Sequence, residues 1–237
     1  MKMLAKGSIG ALLLSAAMSV AAFPVAVESI DGKFMNTKDE SGNNVGGENS
    51  SYIYWGDTGF FGNKSQSSYE FISNPSLPLE RTDDSEFSLG KLRHTNNQVD
   101  GDTLVSTDLL VTLGFSGFGG TGISDGVFTF SHIETPDNAT YESCFLFWCW
   151  DEHDGPVDDI ISQTDATVTS DSFRLGGFEY SLELLGLSAV GSTPEDTYRD
   201  YSLTAKLTAT AVPEPGTLAL LGLGLAGLGM ARRRKAA

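Results

Sequence analysis

Tyr201-Ser202-Leu203-Thr204-Ala205-Lys206-Leu207-Thr208-Ala209-Thr210 changes polarity at every step. Tyr201, Leu203, Ala205, Leu207 and Ala209 fall on one side; Ser202, Thr204, Lys206, Thr208 and Thr210 fall on the other. Period two is the repeat of an extended chain, whose successive side chains point to opposite faces. Working outward, Phe178, Tyr180, Leu182 and Leu184 share a face in the same way, as do Phe128 and Phe130 within Gly126 to Glu134. Thr103 to Phe115 repeats the pattern, with Val105, Thr107, Leu109, Val111, Leu113 and Phe115 together. Shorter apolar runs stand at Ser51 to Gly56, Ser67 to Ile72 and Phe87 to Leu92. Ahead of them, Val25 to Ile30 is expected as an edge strand and Asn36 to Asn49 as a loop.

No segment of the central chain carries a capped helical pattern over three turns, and glycine breaks separate the strands at fairly regular spacing. The expected fold is all-β: an antiparallel β-sandwich, jelly-roll-like, of nine or ten strands with one face of each in the core. No repeat of solenoid or propeller period is present.

Both termini differ from this middle. Lys2 and Lys6 precede an apolar stretch from Ile9 to Val20, and Val20-Ala21-Ala22 offers small residues for cleavage. This is the pattern of a signal peptide over residues 1–22, cut after Ala22 and passed through the Sec translocon. At the other end, 212–237 holds Pro213-Glu214-Pro215, an uncharged run from Thr217 to Ala231, and then Arg232, Arg233, Arg234 and Lys235. Fifteen helical residues rise roughly 22 Å, short of a ~30 Å hydrocarbon core. Snorkelling and local thinning close such a gap at modest cost. The basic cluster suits the cytoplasmic side, so a transmembrane helix over 217–231 is expected. Residues 23–211 are then one extracytoplasmic domain.

The chain carries 31 carboxylates against 15 Lys and Arg, for a net charge of −16. Setting aside Lys2, Lys6 and the four terminal cations makes the domain more acidic still. Such a polyanion is repelled by nucleic acid, so no DNA or RNA partner is expected.

The tail resembles the PEP-CTERM sorting signal of exported proteins in Gram-negative, exopolysaccharide-producing bacteria. That resemblance covers about 25 residues. It implies recognition by an exosortase and processing near Pro213, Glu214 and Pro215, with an inner-membrane-anchored precursor delivered to the cell surface or extracellular matrix. A second resemblance runs roughly from Glu86 to Leu187. It is carried by Leu92-Arg93-His94-Thr95-Asn96-Asn97, His132-Ile133-Glu134-Thr135-Pro136, Val157-Asp158-Asp159-Ile160 and Tyr180-Ser181-Leu182-Glu183-Leu184-Leu185-Gly186. These are similar to the THxN family of PEP-CTERM proteins, with Arg93 standing where that motif has threonine. The family supplies no activity to carry over.

Three groups bear chemistry. Cys144 and Cys149 are expected to form a disulfide in an exported chain; a redox pair or a zinc site would need a Cys-x-x-Cys spacing or further ligands. Between and beside them, Phe145, Phe147, Trp148 and Trp150 are either core or a platform on which sugar rings stack. Asp151, Asp154, Asp158 and Asp159 are either a solvated acidic loop or a calcium site. His94, His132 and His153 sit in no metal or catalytic motif, and His94 with Asn96 is expected to shape a turn at a strand end. No catalytic residue, metal ligand set or cofactor emerges. The expected role is a non-enzymatic structural or adhesive protein of the surface or exopolysaccharide matrix. A glycan-active hydrolase carrying the same tail is the alternative.

Overall fold

The structure is a computed structural model that describes residues 21–58, 65–135, 140–145, 148–153, 158–164, 167–187, 190–212 and 222–227. In chain order its strands begin with β1 (Val25–Asp39), β2 (Tyr52–Trp55), β3 (Ser67–Ser73), β4 (Leu79–Arg81) and β5 (Phe87–Asn96). Next come β6 (Leu104–Gly117), β7 (Gly120–Ile133), β8 (Thr140–Phe145), β9 (Trp148–His153) and β10 (Asp159–Gln163). The last are β11 (Thr167–Thr169), β12 (Phe173–Leu175), β13 (Phe178–Leu185), β14 (Gly191–Thr193) and β15 (Thr197–Ala211). One sheet has the spatial order β14-β10-β7-β6-β1-β4. The other runs β11-β13-β15-β5-β3-β2, with β12 added on β13, and β8 and β9 form a separate hairpin. Every pairing among the described strands is antiparallel. The protein is a β-sandwich.

Alternation places the core. Leu203, Ala205 and Leu207 of β15 are buried, and their register partners on β13 include Leu182 and Leu184, also buried. From the opposite sheet come Val25, Val27, Ile30 and Phe34 of β1, Leu109, Val111, Leu113 and Phe115 of β6, and Phe128 and Phe130 of β7. The two layers interlock through rings. Phe115 stacks on Phe173 with centroids 4.6 Å apart, and Phe173 on Tyr180 at 5.2 Å. Two glycines let the layers close. A Cβ at Gly32 would stand 2.3 Å from the Phe71 ring, and one at Gly126 2.2 Å from a Leu184 methyl.

Two expectations about strands are corrected. Val25 to Ile30 is not a short edge strand: β1 continues to Asp39 and lies between β6 and β4. Its pairing with β6 shifts register between Val27 and Ser29 and again after Met35, so its buried side chains lose the strict period that sequence reading depends on. The same irregular end turns Val105 outward. It is 42% exposed, and Leu104 is buried in its place.

The signal-peptide stretch before Ala21 lies outside the described residues, as do most of 217–231. Within the tail, only a helical turn over 222–227 is described, exposed at every residue. No helix among the described residues is long and apolar enough to cross a membrane.

Candidate functional site

Between the two sheets, one end of the core turns polar. β5 continues its inward phase from Leu92 to His94 and Asn96, so these polar side chains are buried where leucine would be expected. β7 does the same, passing from Phe128 and Phe130 to His132. Asp159 opens β10, which pairs with β7, and points into the same space. Glu134 follows β7, and Glu195 lies between β14 and β15. Trp55 and Tyr69, from β2 and β3, supply aromatic walls: Trp55 lies 6.0 Å from the His94 ring and 5.0 Å from that of His132.

The protons in this chamber can be followed bond by bond. Tyr201 Oη donates to Ser192 O at 2.9 Å, which uses its one proton. The hydroxyl of Thr193, 2.9 Å away, therefore donates to Tyr201 Oη. Thr193 Oγ1 is then left to accept from His94 Nδ1 at 2.8 Å. A neutral imidazole with its proton on Nδ1 presents a bare lone pair at Nε2. That nitrogen is buried and has no hydrogen-bond partner. It faces Asp159 Oδ2 at 3.9 Å, itself buried and without one.

His132 faces the same space from the opposite sheet. Its Nδ1 is hydrogen-bonded with Tyr69 Oη at 2.7 Å and its Nε2 with Glu134 Oε2 at 3.2 Å, and Nε2 lies 3.6 Å from the same Asp159 Oδ2. Trp55 Nε1 donates to Glu134 Oε2 at 3.1 Å, and the Thr135 amide donates to Asp159 Oδ1 at 2.9 Å, so both carboxylates are aimed. His94, His132 and Asp159 bring one ligand atom each to within 4.8 Å of one another, and Glu134, Asp159 and Glu195 do likewise.

Electrostatics follow from burial. Loss of water pushes the Asp159 carboxyl up to about 8, against the Thr135 amide bond and with the help of Glu134 and Glu195. Burial likewise holds the His94 imidazole well below its ordinary value, with the neighbouring His132 adding to the effect. Tyr69 is raised well above the usual phenol range, chiefly by burial. Histidine nitrogens and carboxylate oxygens thus converge in one buried space.

Several expectations change accordingly. His94 and Asn96 stand at the end of β5, as expected, but their side chains turn inward and hold β14, His94 through Thr193 Oγ1 and Asn96 Nδ2 through Thr193 O at 2.9 Å. Asp159 does not belong to a solvated acidic loop. It is fully buried, whereas Asp158 beside it is half-buried. The side chains of Asp151 and Asp154 lie outside the described residues, and so do those of Phe145, Phe147, Trp148 and Trp150. The β8–β9 register sets Cys144 opposite Cys149 along the backbone. Their side chains are not among those described, and no disulfide is found among the described residues.

A surface recess of roughly 440 Å³ lies next to the chamber, with Trp55 in its lining. Tyr54, Asp39, Asp57, Asp102 and Gln66 also face it. Beside it Tyr52 and Tyr54 are exposed, with ring centroids 6.0 Å apart.

Pro213, Glu214 and Pro215 follow immediately on this domain: β15 ends at Ala211, and the Val212 amide donates to Gly177 O. Residues 211–235 match the PEP-CTERM protein-sorting motif. The chain carries a PEP-CTERM sorting motif. An exosortase-sorted, exported, surface-destined protein is what that motif describes. No curated protein is similar enough to the chain to register as a match.

Proposed function

We propose that this PEP-CTERM protein is a non-catalytic structural or adhesive component of the cell surface or exopolysaccharide matrix. The observation that carries the reading is the sorting motif at 211–235, which begins where the last strand of the sandwich ends. A membrane span over 217–231 would hold the precursor, basic end inward, until an exosortase acts near Pro213 to Pro215. His94 and Asn96 are the motif positions through which the chain resembles the THxN family, and both brace β14 from inside the core.

What supports an adhesive over a hydrolytic role is the separation of features. Asp159, whose carboxyl burial raises to about 8, is wholly buried, whereas the open recess is lined by Tyr54, Asp39, Asp57 and Asp102. Exposed tyrosine with flanking carboxylates suits sugar rings, which stack on aromatics and donate hydroxyl hydrogens. Expression in hosts with and without an exosortase tests the sorting. Surface delivery with loss of the tail mass is expected only with the enzyme, and an intact tail in both hosts overturns it. Retention on exopolysaccharide, weakened in a Tyr52→Ala, Tyr54→Ala double variant, tests adhesion; release of reducing sugar would instead mark a hydrolase.

A further inference from the structure

The chamber between the sheets holds buried polar atoms that meet no partner among the described residues. His94 Nε2, Asp159 Oδ2 and Glu134 Oε1 are buried atoms without hydrogen-bond partners. A proton shared between Asp159 and a histidine does not resolve this, because 3.6 and 3.9 Å are too long for a hydrogen bond. Those separations suit two ligands of one small ion. Four ligands at about 2.0–2.1 Å from a tetrahedral ion stand about 3.3 Å apart. Here the corresponding distances are 3.6 Å from His132 Nε2 and 3.9 Å from His94 Nε2 to Asp159 Oδ2.

The outer contacts match as well. Ligating imidazoles hold their second nitrogen in a hydrogen bond that fixes ring and tautomer. Thr193 does this for His94 and Tyr69 for His132. The donor set also discriminates between metals. Calcium takes six to eight oxygens, whereas two imidazole nitrogens with carboxylate favour a transition ion. The site is enclosed and draws on both sheets: His94 from β5, and His132 and Asp159 from β7 and β10.

We propose that this chamber is a buried metal site in which His94 Nε2, His132 Nε2 and Asp159 Oδ2, which lie within 4.8 Å of one another, ligate one divalent transition ion of the zinc class. Such an ion answers the orphaned lone pairs and ties one sheet of the sandwich to the other. Its role is structural, because the ligands are shut away from solvent by Trp55 and Tyr69. The site lies within the sandwich and does not depend on how the tail is processed.

The experiment uses tag-free protein, dialysed against chelator and titrated with zinc, with cobalt as a spectroscopic probe, and with calcium. Expected are about one equivalent of zinc per chain, the visible absorption of tetrahedral cobalt displaced by zinc, and a melting temperature raised by about 5 °C or more. Calcium should do none of this. Tyr69→Phe keeps the ring and removes only the hydroxyl, and should weaken zinc about 10- to 100-fold. His94→Gln and Asp159→Asn should abolish the cobalt spectrum. The wild-type titration decides even if those variants fail to fold: no zinc bound and no cobalt spectrum overturns the site, and so does a response to calcium alone.

Discussion

Arg93 and Asp200 show what a single pair contributes on the outer face of the same strand that carries His94. Arg93 Nε and Nη2 reach Asp200 Oδ1 and Oδ2 at 2.8 and 3.1 Å, Lys91 Nζ also donates to Asp200, and the Arg93 guanidinium lies 4.4 Å from the Tyr198 ring centroid. The Arg93 hydrogen bonds, and then that of Lys91, hold the Asp200 carboxyl at about 2, below its ordinary 3.8. A depressed carboxyl stabilises the fold fully above the unfolded value and loses that contribution as pH falls through the folded one. The window is therefore pH 4 down to pH 2. Solvent screens the pair, so the effect should be about 1 kcal/mol or less. Urea midpoints of the wild type and of Asp200→Asn should differ at pH 6 and converge near pH 2. A difference that persists at pH 2 would assign the effect to packing, not charge.

At the scale of elements, legibility follows regularity of the ladder. β13 and β15 pair without a shift from Phe178↔Ala211 to Leu185↔Thr204, and their alternation predicts which side chains are buried. β1 does not, because bulges break its phase, so in the sequence its two ends read as an edge strand and the start of a loop although it lies between β6 and β4. Phe34 tests its place: it is fully buried, 6.3 Å from the Tyr69 ring across the sandwich. Phe34→Ala should cost about 3–5 kcal/mol, read as a lowered denaturant midpoint, whereas Val105→Ala on the exposed side should change it by under about 0.5 kcal/mol. Comparable losses at both positions would contradict the layer assignment. The polar chamber was hidden for a different reason. Its ligand atoms come from β5, β7 and β10, far apart in sequence and without a short motif. A signal was nevertheless present. Leu92, His94 and Asn96 alternate inward, as do Phe128, Phe130 and His132; a histidine at the inward phase of a clean strand is a buried histidine, and two of them need a common explanation.

For the whole molecule, the question is whether the sorting tail and the sandwich depend on each other. β15 lies in the interior of its sheet, between β13 and β5, and its pairing closes at Ala211. Processing near Pro213 to Pro215 would leave this strand complete, along with the Val212 amide bond to Gly177 O. Residues 222–227 are exposed throughout and cover none of the core. At the other end, Phe23 packs edge-on against Tyr180 with centroids 6.3 Å apart, so a cut after Ala22 retains the apolar contact. Among the described residues, that cut gives up the Ala22 carbonyl as acceptor for Tyr180 Oη. Protein comprising residues 23–212 should therefore unfold in one cooperative transition, within about 0.5 kcal/mol of the full chain in detergent. Tryptophan fluorescence and far-ultraviolet circular dichroism in urea would follow it, because Trp55 sits in the wall between the sheets. A lower midpoint, or two transitions, would mean that the tail supports the fold as well as directing it. Coincident curves would make the tail a separable address on a domain whose stability is set by the sandwich.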